Sequence, residues 1–125
     1  MPSANLRLPL QDVIIYYNGR CSKSRETLKL LRNKGIEPRI IEYLKDPPDE
    51  FEMSRILGIL DMNPMDLIRT GEGAFVEFDV ASKKSNPRQL IREMIAHPIL
   101  IERPIVVSGN KARIGRPPEC VLEIL

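Results

Sequence analysis

Two periods of hydrophobic residues follow one another near the start of this chain. Residues 13–17, Val-Ile-Ile-Tyr-Tyr, form an unbroken run of β-branched and aromatic side chains, which is typical of a buried strand. From Ser24 onward the apolar residues recur at helical spacing, and Gly35 is a suitable stop. The pattern therefore predicts a strand over 12–17 and a helix over 22–34.

The rest of the pattern predicts helices in the middle of the chain and a strand pair near its end. Asp49 can cap the first middle helix, and proline stands at the first position of the two that follow. Residues 70–85, with an acidic patch and two phenylalanines, fit either a helical excursion or a mobile flap. The further predicted elements are a strand at 38–44, helices at 50–59, 64–69 and 87–96, strands at 105–107 and 111–114, a turn between those two, and a last helix at 115–125.

The predicted order is β-α-β, then helices, then β-β-α. This order resembles an α/β thioredoxin-like fold with a four-stranded mixed sheet and a helical insertion in the middle. The first helix is long enough to make the first two strands parallel. In that fold the strand–cysteine–helix junction is the active site, and Pro104 takes the place of the fold's cis-proline. The resemblance implies a cis bond there, although only about 5–6% of X–Pro bonds are cis.

Bulk properties exclude several classes of protein. The 125 residues suggest a single domain over 12–125 preceded by a loose leader at 1–11. A net charge of +2 is too small to indicate nucleic-acid binding. No apolar run approaches the roughly 20 residues of a membrane span. Two distant cysteines and one histidine fit neither a disulfide framework nor a metal site, and they favour a reducing cytoplasm.

Cys21 is the strongest candidate for a reactive residue in the chain. It stands at the amino end of the first predicted helix, where Ser22 or Ser24 could serve as cap. Free backbone N–H groups and the helix dipole favour an anion there, either the thiolate itself or an oxyanion beside it. The alternative is a small buried cysteine at the end of a strand. The polar, basic turn around Cys21 favours a reactive thiol.

Several short motifs, taken together, resemble the glutaredoxin-dependent arsenate reductases of the thioredoxin fold. The resemblance extends over nearly everything after Gln11 and rests on the joint order of its parts. The shared elements are, in order, Tyr16 and Asn18, Cys21 with Ser24-Arg25 and Thr27, Tyr43-Leu44 and Pro47-Pro48, Leu67-Ile68-Arg69, His97 to Ile101, Arg103 to Val107, and Arg116-Pro117 with Glu119 and Val121 to Leu125.

The resemblance implies roles for particular residues. Cys21 corresponds to the nucleophile of the family, and three arginines correspond to its oxyanion-binding groups: Arg69, Arg103 and Arg116. Guanidinium groups suit a tetrahedral oxyanion because they bind its oxygens bidentately. The motif residues expected to support the site are Asn18, Ser24, Arg25 and Pro104.

The sequence departs from the family pattern beside the cysteine. Tyr17 stands where arsenate-reducing members have a histidine, and Gly19 replaces a proline. A tyrosine cannot supply a cation at neutral pH, a role that Arg20 could partly take over. We interpret Cys120 as a core residue of the last helix, and His97 as a structural cap or turn residue rather than a general base.

The implied function is reduction of arsenate to arsenite through a covalent Cys21–arsenic adduct. The implied partners are glutathione as co-substrate and a glutaredoxin, with no bound cofactor. One alternative is a transcription regulator of the Spx type that binds RNA polymerase, although Ser24 stands where such proteins usually have a second cysteine. Another is a glutathione-dependent thiol oxidoreductase with a different substrate.

Overall fold

The computed structural model describes residues 12–125, so the predicted leader lies outside the described residues. The chain forms two compact units. The sheet unit runs to Glu42 and resumes from Arg103 to Leu125, and the helical unit comprises Tyr43–Glu102. The single domain over 12–125 stays a prediction.

The sheet unit contains four strands in the order β2-β1-β3-β4. The strands are β1 (Val13–Tyr16), β2 (Arg39–Ile41), β3 (Ile105–Ser108) and β4 (Lys111–Ile114). β1 is parallel to β2 and antiparallel to β3, which in turn is antiparallel to β4. The predicted four-stranded mixed sheet is confirmed, with each strand somewhat shorter than, or close to, its predicted length.

The helix α1 (Ser22–Asn33) joins β1 to β2 and shares a core with the sheet. Its Leu31 is fully buried, and alternate residues of β1 supply Val13 and Ile15 to the same cluster. The apolar residues that recur at helical spacing in α1 therefore pack against the alternating apolar residues of β1 in one core. The cluster of buried residues comprises Val13, Ile15, Leu28, Leu31, Val106 and Val121.

The turn between β3 and β4 has the predicted position. Ser108 pairs with Lys111, which leaves Gly109 and Asn110 as a two-residue connection. Gly109 has φ +63°, a conformation that costs glycine little and other residues more.

The last element is a 3₁₀ helix over Pro118–Ile124 rather than the predicted α-helix. Its two buried residues, Pro118 and Val121, are three positions apart, because side chains three apart eclipse in 3₁₀ geometry. Cys120 lies off that line and is only half-buried, so its assignment to the core was wrong. Its thiol instead lies 3.9 Å from the carbonyl oxygen of Arg116 and can donate to it.

The helical unit consists of α-helices and short 3₁₀ helices. They are α2 (Glu50–Leu60), α3 (Pro64–Leu67), α4 (Gly73–Glu77), the 3₁₀ helix Val80–Lys83, α5 (Pro87–Ala96) and the 3₁₀ helix Pro98–Leu100. The segment 70–85 is thus a helical excursion. Asp49 and Asn86 cap α2 and α5 through their side chains, and both helices begin at their predicted positions.

An isolated bridge closes the helical unit near its carboxyl end. Ile68 pairs antiparallel with Ile101, and the N–H of Arg69 donates to the carbonyl of Leu100 at 2.7 Å. Both isoleucines are buried. This bridge fixes the backbone around Arg69.

No helix within residues 12–125 is long and apolar enough to cross a membrane.

Candidate active site

Cys21 occupies the junction between β1 and α1. It is the N-cap residue of the helix, with extended backbone angles of φ −94° and ψ 121°. Its N–H donates to the carbonyl of Asn18 at 2.9 Å, and its own carbonyl accepts from the N–H of Arg25 at 3.1 Å. The prediction that Ser22 or Ser24 caps the helix was wrong, because the helix already begins at Ser22 and the cysteine precedes it.

Three of the predicted supporting residues hold this turn together. The Asn18 side-chain oxygen accepts from the N–H of Arg20 at 3.0 Å. The hydroxyl of Ser24, a fully buried residue, accepts from the N–H of Asn18 at 3.3 Å. A guanidinium nitrogen of Arg25 donates to the carbonyl of Gly19 at 2.8 Å. The side chains therefore fix the backbone that presents Cys21.

The surroundings of Cys21 favour its thiolate. The residue is 8% exposed, and burial by itself raises the pKa of the thiol. The backbone N–H of Ser24, the Arg103 guanidinium, the Ser24 hydroxyl and the backbone N–H of Lys23 all lower it. Together they outweigh burial, so the pKa of Cys21 lies below the ordinary value of a thiol.

Two of the three predicted arginines lie beside the sulfur. The Arg103 guanidinium stabilises the thiolate of Cys21 and lowers the pKa of the thiol. Nη2 of Arg116 lies 3.6 Å from the same sulfur, while its Nε donates to the carbonyl of Arg103 at 2.8 Å. The bonds from each of these arginines to the following proline, Pro104 and Pro117, are both cis. The cis bond at Pro104 was expected from the fold resemblance.

Arg69, the third predicted arginine, belongs to the helical unit. Its Nε donates to a carboxylate oxygen of Glu72 at 3.1 Å, and its Nη1 donates to Glu102 at 2.7 Å. Partial burial lowers the pKa of Arg69, but the two carboxylates raise it by more, so the guanidinium is firmly charged. Neither glutamate was predicted as a partner of Arg69. Glu72 reaches it across a turn, in which its N–H donates to the carbonyl of Arg69 at 3.3 Å.

Structural contacts surround three further residues considered from the sequence: Tyr17, Arg20 and His97. The ring of Tyr17 packs against the core cluster of the sheet unit, and the exposed Arg20 belongs to the Asn18 turn. His97 ends α5, stacks on Phe78 at 3.6 Å between ring centroids, and lies 3.8 Å from a carboxylate oxygen of Glu93. These contacts fit the structural interpretation of His97.

The part of the chain that the structure describes holds no group of three or more histidine, cysteine or acidic residues suited to a metal ion. In the sheet unit the site thus consists of one buried thiol and two guanidinium groups. A nucleophilic sulfur surrounded by donors and positive charge can attack the central atom of an oxyanion and stabilise the charge on its oxygens.

Comparisons with known proteins show the family of the chain. Residues 16–124 match the ArsC family, and the chain belongs to that family. An uncharacterized protein, YfgD, of Escherichia coli is 48% identical over 92% of this chain and 98% of its own. An arsenate reductase of Haemophilus influenzae is 47% identical over 91% of this chain and 99% of its own.

The fold is shared with solved structures as well. The structure of an arsenate reductase from Vibrio cholerae matches with a TM-score of 0.88 and 46% identity, covering 92% of this chain and 98% of that one. The predicted thioredoxin-like fold with a mixed four-stranded sheet is confirmed.

Proposed function

We propose that this protein reduces arsenate to arsenite, with glutathione as co-substrate and a glutaredoxin that reduces the resulting mixed disulfide. The observation that carries the proposal is the Cys21 thiol, with its pKa lowered, lying beside the guanidinium groups of Arg103 and Arg116. Membership of the ArsC family and the similarity to an arsenate reductase of Haemophilus influenzae support it.

The first step forms the bond between sulfur and arsenic. The Cys21 thiolate attacks arsenic(V) and an oxygen leaves as hydroxide or water, so a sulfur–arsenic bond replaces an arsenic–oxygen bond. Arg103 and Arg116 bind the arsenate oxygens and stabilise the charge on them. The thiolate that Arg103 favours is also the form that reacts.

The second step transfers two electrons to arsenic. The thiolate of glutathione attacks the sulfur of Cys21, the sulfur–arsenic bond breaks, and its electron pair stays on arsenic, which leaves as arsenite. Cys21 and glutathione are then joined in a mixed disulfide, which the glutaredoxin reduces by thiol exchange. The sequence needs external thiols and no prosthetic group, and a reducing cytoplasm would supply them.

Arg69 is proposed as the third oxyanion-binding group, on the resemblance to the family. Its two carboxylate partners hold the guanidinium in one orientation. A guanidinium group has five N–H donors, so it can bind both carboxylates and still donate an N–H to a ligand. A lysine there could not make the same set of bonds.

Tyr17 favours a second candidate, a glutathione-dependent thiol oxidoreductase that acts on a different substrate. The ring that replaces the histidine of the family packs on the core and brings no cation to the thiol. The Spx-type alternative is less favoured, because Ser24 leaves no second thiol within the helix for a redox switch and is instead bound to the turn.

The deciding experiment couples arsenate reduction to NADPH consumption through glutathione, glutaredoxin and glutathione reductase. The wild type should consume NADPH only when arsenate is present, and Cys21→Ala should show the rate of the assay without enzyme. Cys120→Ser is the matched control, because it replaces the other cysteine of the chain and keeps a donor toward the Arg116 carbonyl.

Activity that persists in Cys21→Ala would overturn the mechanism. A folded wild type that shows no arsenate-dependent turnover, while its Cys21 reacts rapidly with iodoacetamide, would instead favour the second candidate.

A further inference from the structure

Gly115 lies where three parts of the sheet unit come together. It follows β4, immediately precedes Arg116, and is buried. Its N–H donates to the carbonyl of Pro104 at 2.9 Å. A Cβ at this position would lie 2.5 Å from Oγ1 of Thr27 and 2.9 Å from Cγ of Pro104, so the backbone approaches both more closely than any other residue allows.

Neither neighbour can move aside easily. Thr27 is fully buried in α1, and a β-branched side chain within a helix has few rotamers available. Its hydroxyl has no hydrogen-bond partner among residues 12–125, so it is held in place by packing alone. The ring of Pro104 is rigid and follows Arg103 directly. A side chain at position 115 would therefore displace backbone.

The backbone that would move carries both arginines of the sheet unit. Arg116 follows Gly115, donates through Nε to the carbonyl of Arg103 at 2.8 Å, and places Nη2 3.6 Å from the sulfur of Cys21. A displacement at position 115 thus acts on Arg116 through the chain and on Arg103 through Pro104.

The geometry points to Gly115 as a positioning residue for the reaction: the missing side chain lets β4 close onto Thr27 and Pro104, and this contact sets Arg103 and Arg116 against Cys21. The inference deepens the proposed function and rests on it for its catalytic consequence. Its structural consequence, the placement of the two arginines against the thiol, can be measured without arsenate.

The test compares Gly115→Ala with Gly58→Ala. Gly58 is exposed within α2, and a Cβ at its position would meet no other atom within 4 Å, so it controls for the change of residue type. For Gly115→Ala we expect kcat/KM for arsenate to fall by about 10- to 100-fold, as for a small misplacement of catalytic groups. We also expect the midpoint of Cys21 alkylation by iodoacetamide to move to higher pH. Gly58→Ala should change neither.

A second pair of variants tests the contact itself and remains informative if Gly115→Ala folds poorly. Adding Thr27→Ala removes the atom closest to the new methyl group, whereas Thr27→Val keeps a methyl group in that place. The first double variant should recover part of the lost activity and part of the shift in alkylation midpoint. The second should recover neither.

Three results would overturn the inference. One is an unchanged alkylation midpoint in Gly115→Ala, which would reduce the glycine to a packing role even if activity fell. Another is equal recovery by Thr27→Ala and Thr27→Val. The third is wild-type kcat/KM in Gly115→Ala. A wild type inactive toward arsenate would contradict the proposed function alone, because the alkylation profiles of the variants would still test the positioning.

Discussion

Groups of three kinds stabilise the thiolate form of Cys21. Backbone N–H groups of Ser24 and Lys23, the Ser24 hydroxyl and the Arg103 guanidinium all stabilise the negative charge, and they outweigh the cost of burial. The backbone donors belong to the first turn of the helix, and only a proline at those positions would remove them. The hydroxyl and the guanidinium can be removed, so their separate effects on the thiol can be measured.

We expect Arg103→Gln and Ser24→Ala each to raise the pKa of Cys21. Both changes remove a group that stabilises the thiolate, and the larger effect should come from Arg103, whose side chain lowers the pKa more than the Ser24 hydroxyl does. Since the thiolate is the reactive form, the alkylation rate rises as the pH passes the pKa of the thiol. Its midpoint should therefore move to higher pH in both variants, measured with iodoacetamide across a pH series.

Arg113→Gln is the matched control for this comparison. Arg113 is an exposed arginine of the same unit, on β4, and pairs with Glu123 at 2.6 Å rather than with the thiol. Its loss should leave the alkylation midpoint unchanged. An equal shift in Arg113→Gln and Arg103→Gln would mean that overall charge, and not the contact with Arg103, sets the pKa of Cys21.

At the scale of elements, α1 serves both the core and the thiol. One side of the helix buries Leu28 and Leu31 against the sheet, and its first turn presents N–H groups to Cys21. The packing of the helix therefore fixes the direction of its N-terminal donors, which is the condition for stabilising an anion at a set position.

The helix α2 depends on a conventional cap. The Asp49 side chain accepts from the N–H of Glu52 at 2.8 Å. Asp49→Ala should lower the free energy of unfolding by about 1 kcal/mol, because it leaves a first-turn N–H without that acceptor. Urea unfolding measures the loss, and faster amide exchange of Glu52 would locate it. The exposed Asp46→Ala should change stability by less than about 0.5 kcal/mol; an equal loss there would contradict a specific role for the cap.

At the scale of the whole molecule, local patterns predicted the elements more completely than their details. The strand–helix–strand order, the cap at Asp49, the start of α5 at Pro87 and the β3–β4 turn follow from period, capping and turn residues that lie within a few positions of each other. The 3₁₀ geometry of the last helix was missed, because its apolar residues fit periods of three and of 3.6 equally well over so short a stretch.

The contacts that shape the candidate site depend on tertiary structure. Arg116 lies against Cys21, and Gly115 lies against Thr27, although most of the sequence separates the two members of each pair. Nothing in the local sequence of either partner indicates the other. The choice of arginines came from the family resemblance, and the hydrogen bond from Arg116 to the carbonyl of Arg103 was visible only in the structure.

The core of the sheet unit offers a test of how far stability depends on α1. Leu31 is fully buried in the cluster that joins α1 to the sheet, so Leu31→Ala should cost about 2–5 kcal/mol in the free energy of unfolding. That is a large share of the 5–15 kcal/mol that is roughly typical of native proteins. Leu125→Ala, at a leucine that is 45% exposed in the same unit, should cost less than about 0.5 kcal/mol. Urea unfolding of the two variants beside the wild type measures both values. A loss at Leu31 no greater than that at Leu125 would mean that the cavity closes without penalty and that α1 is not held to the sheet by this cluster.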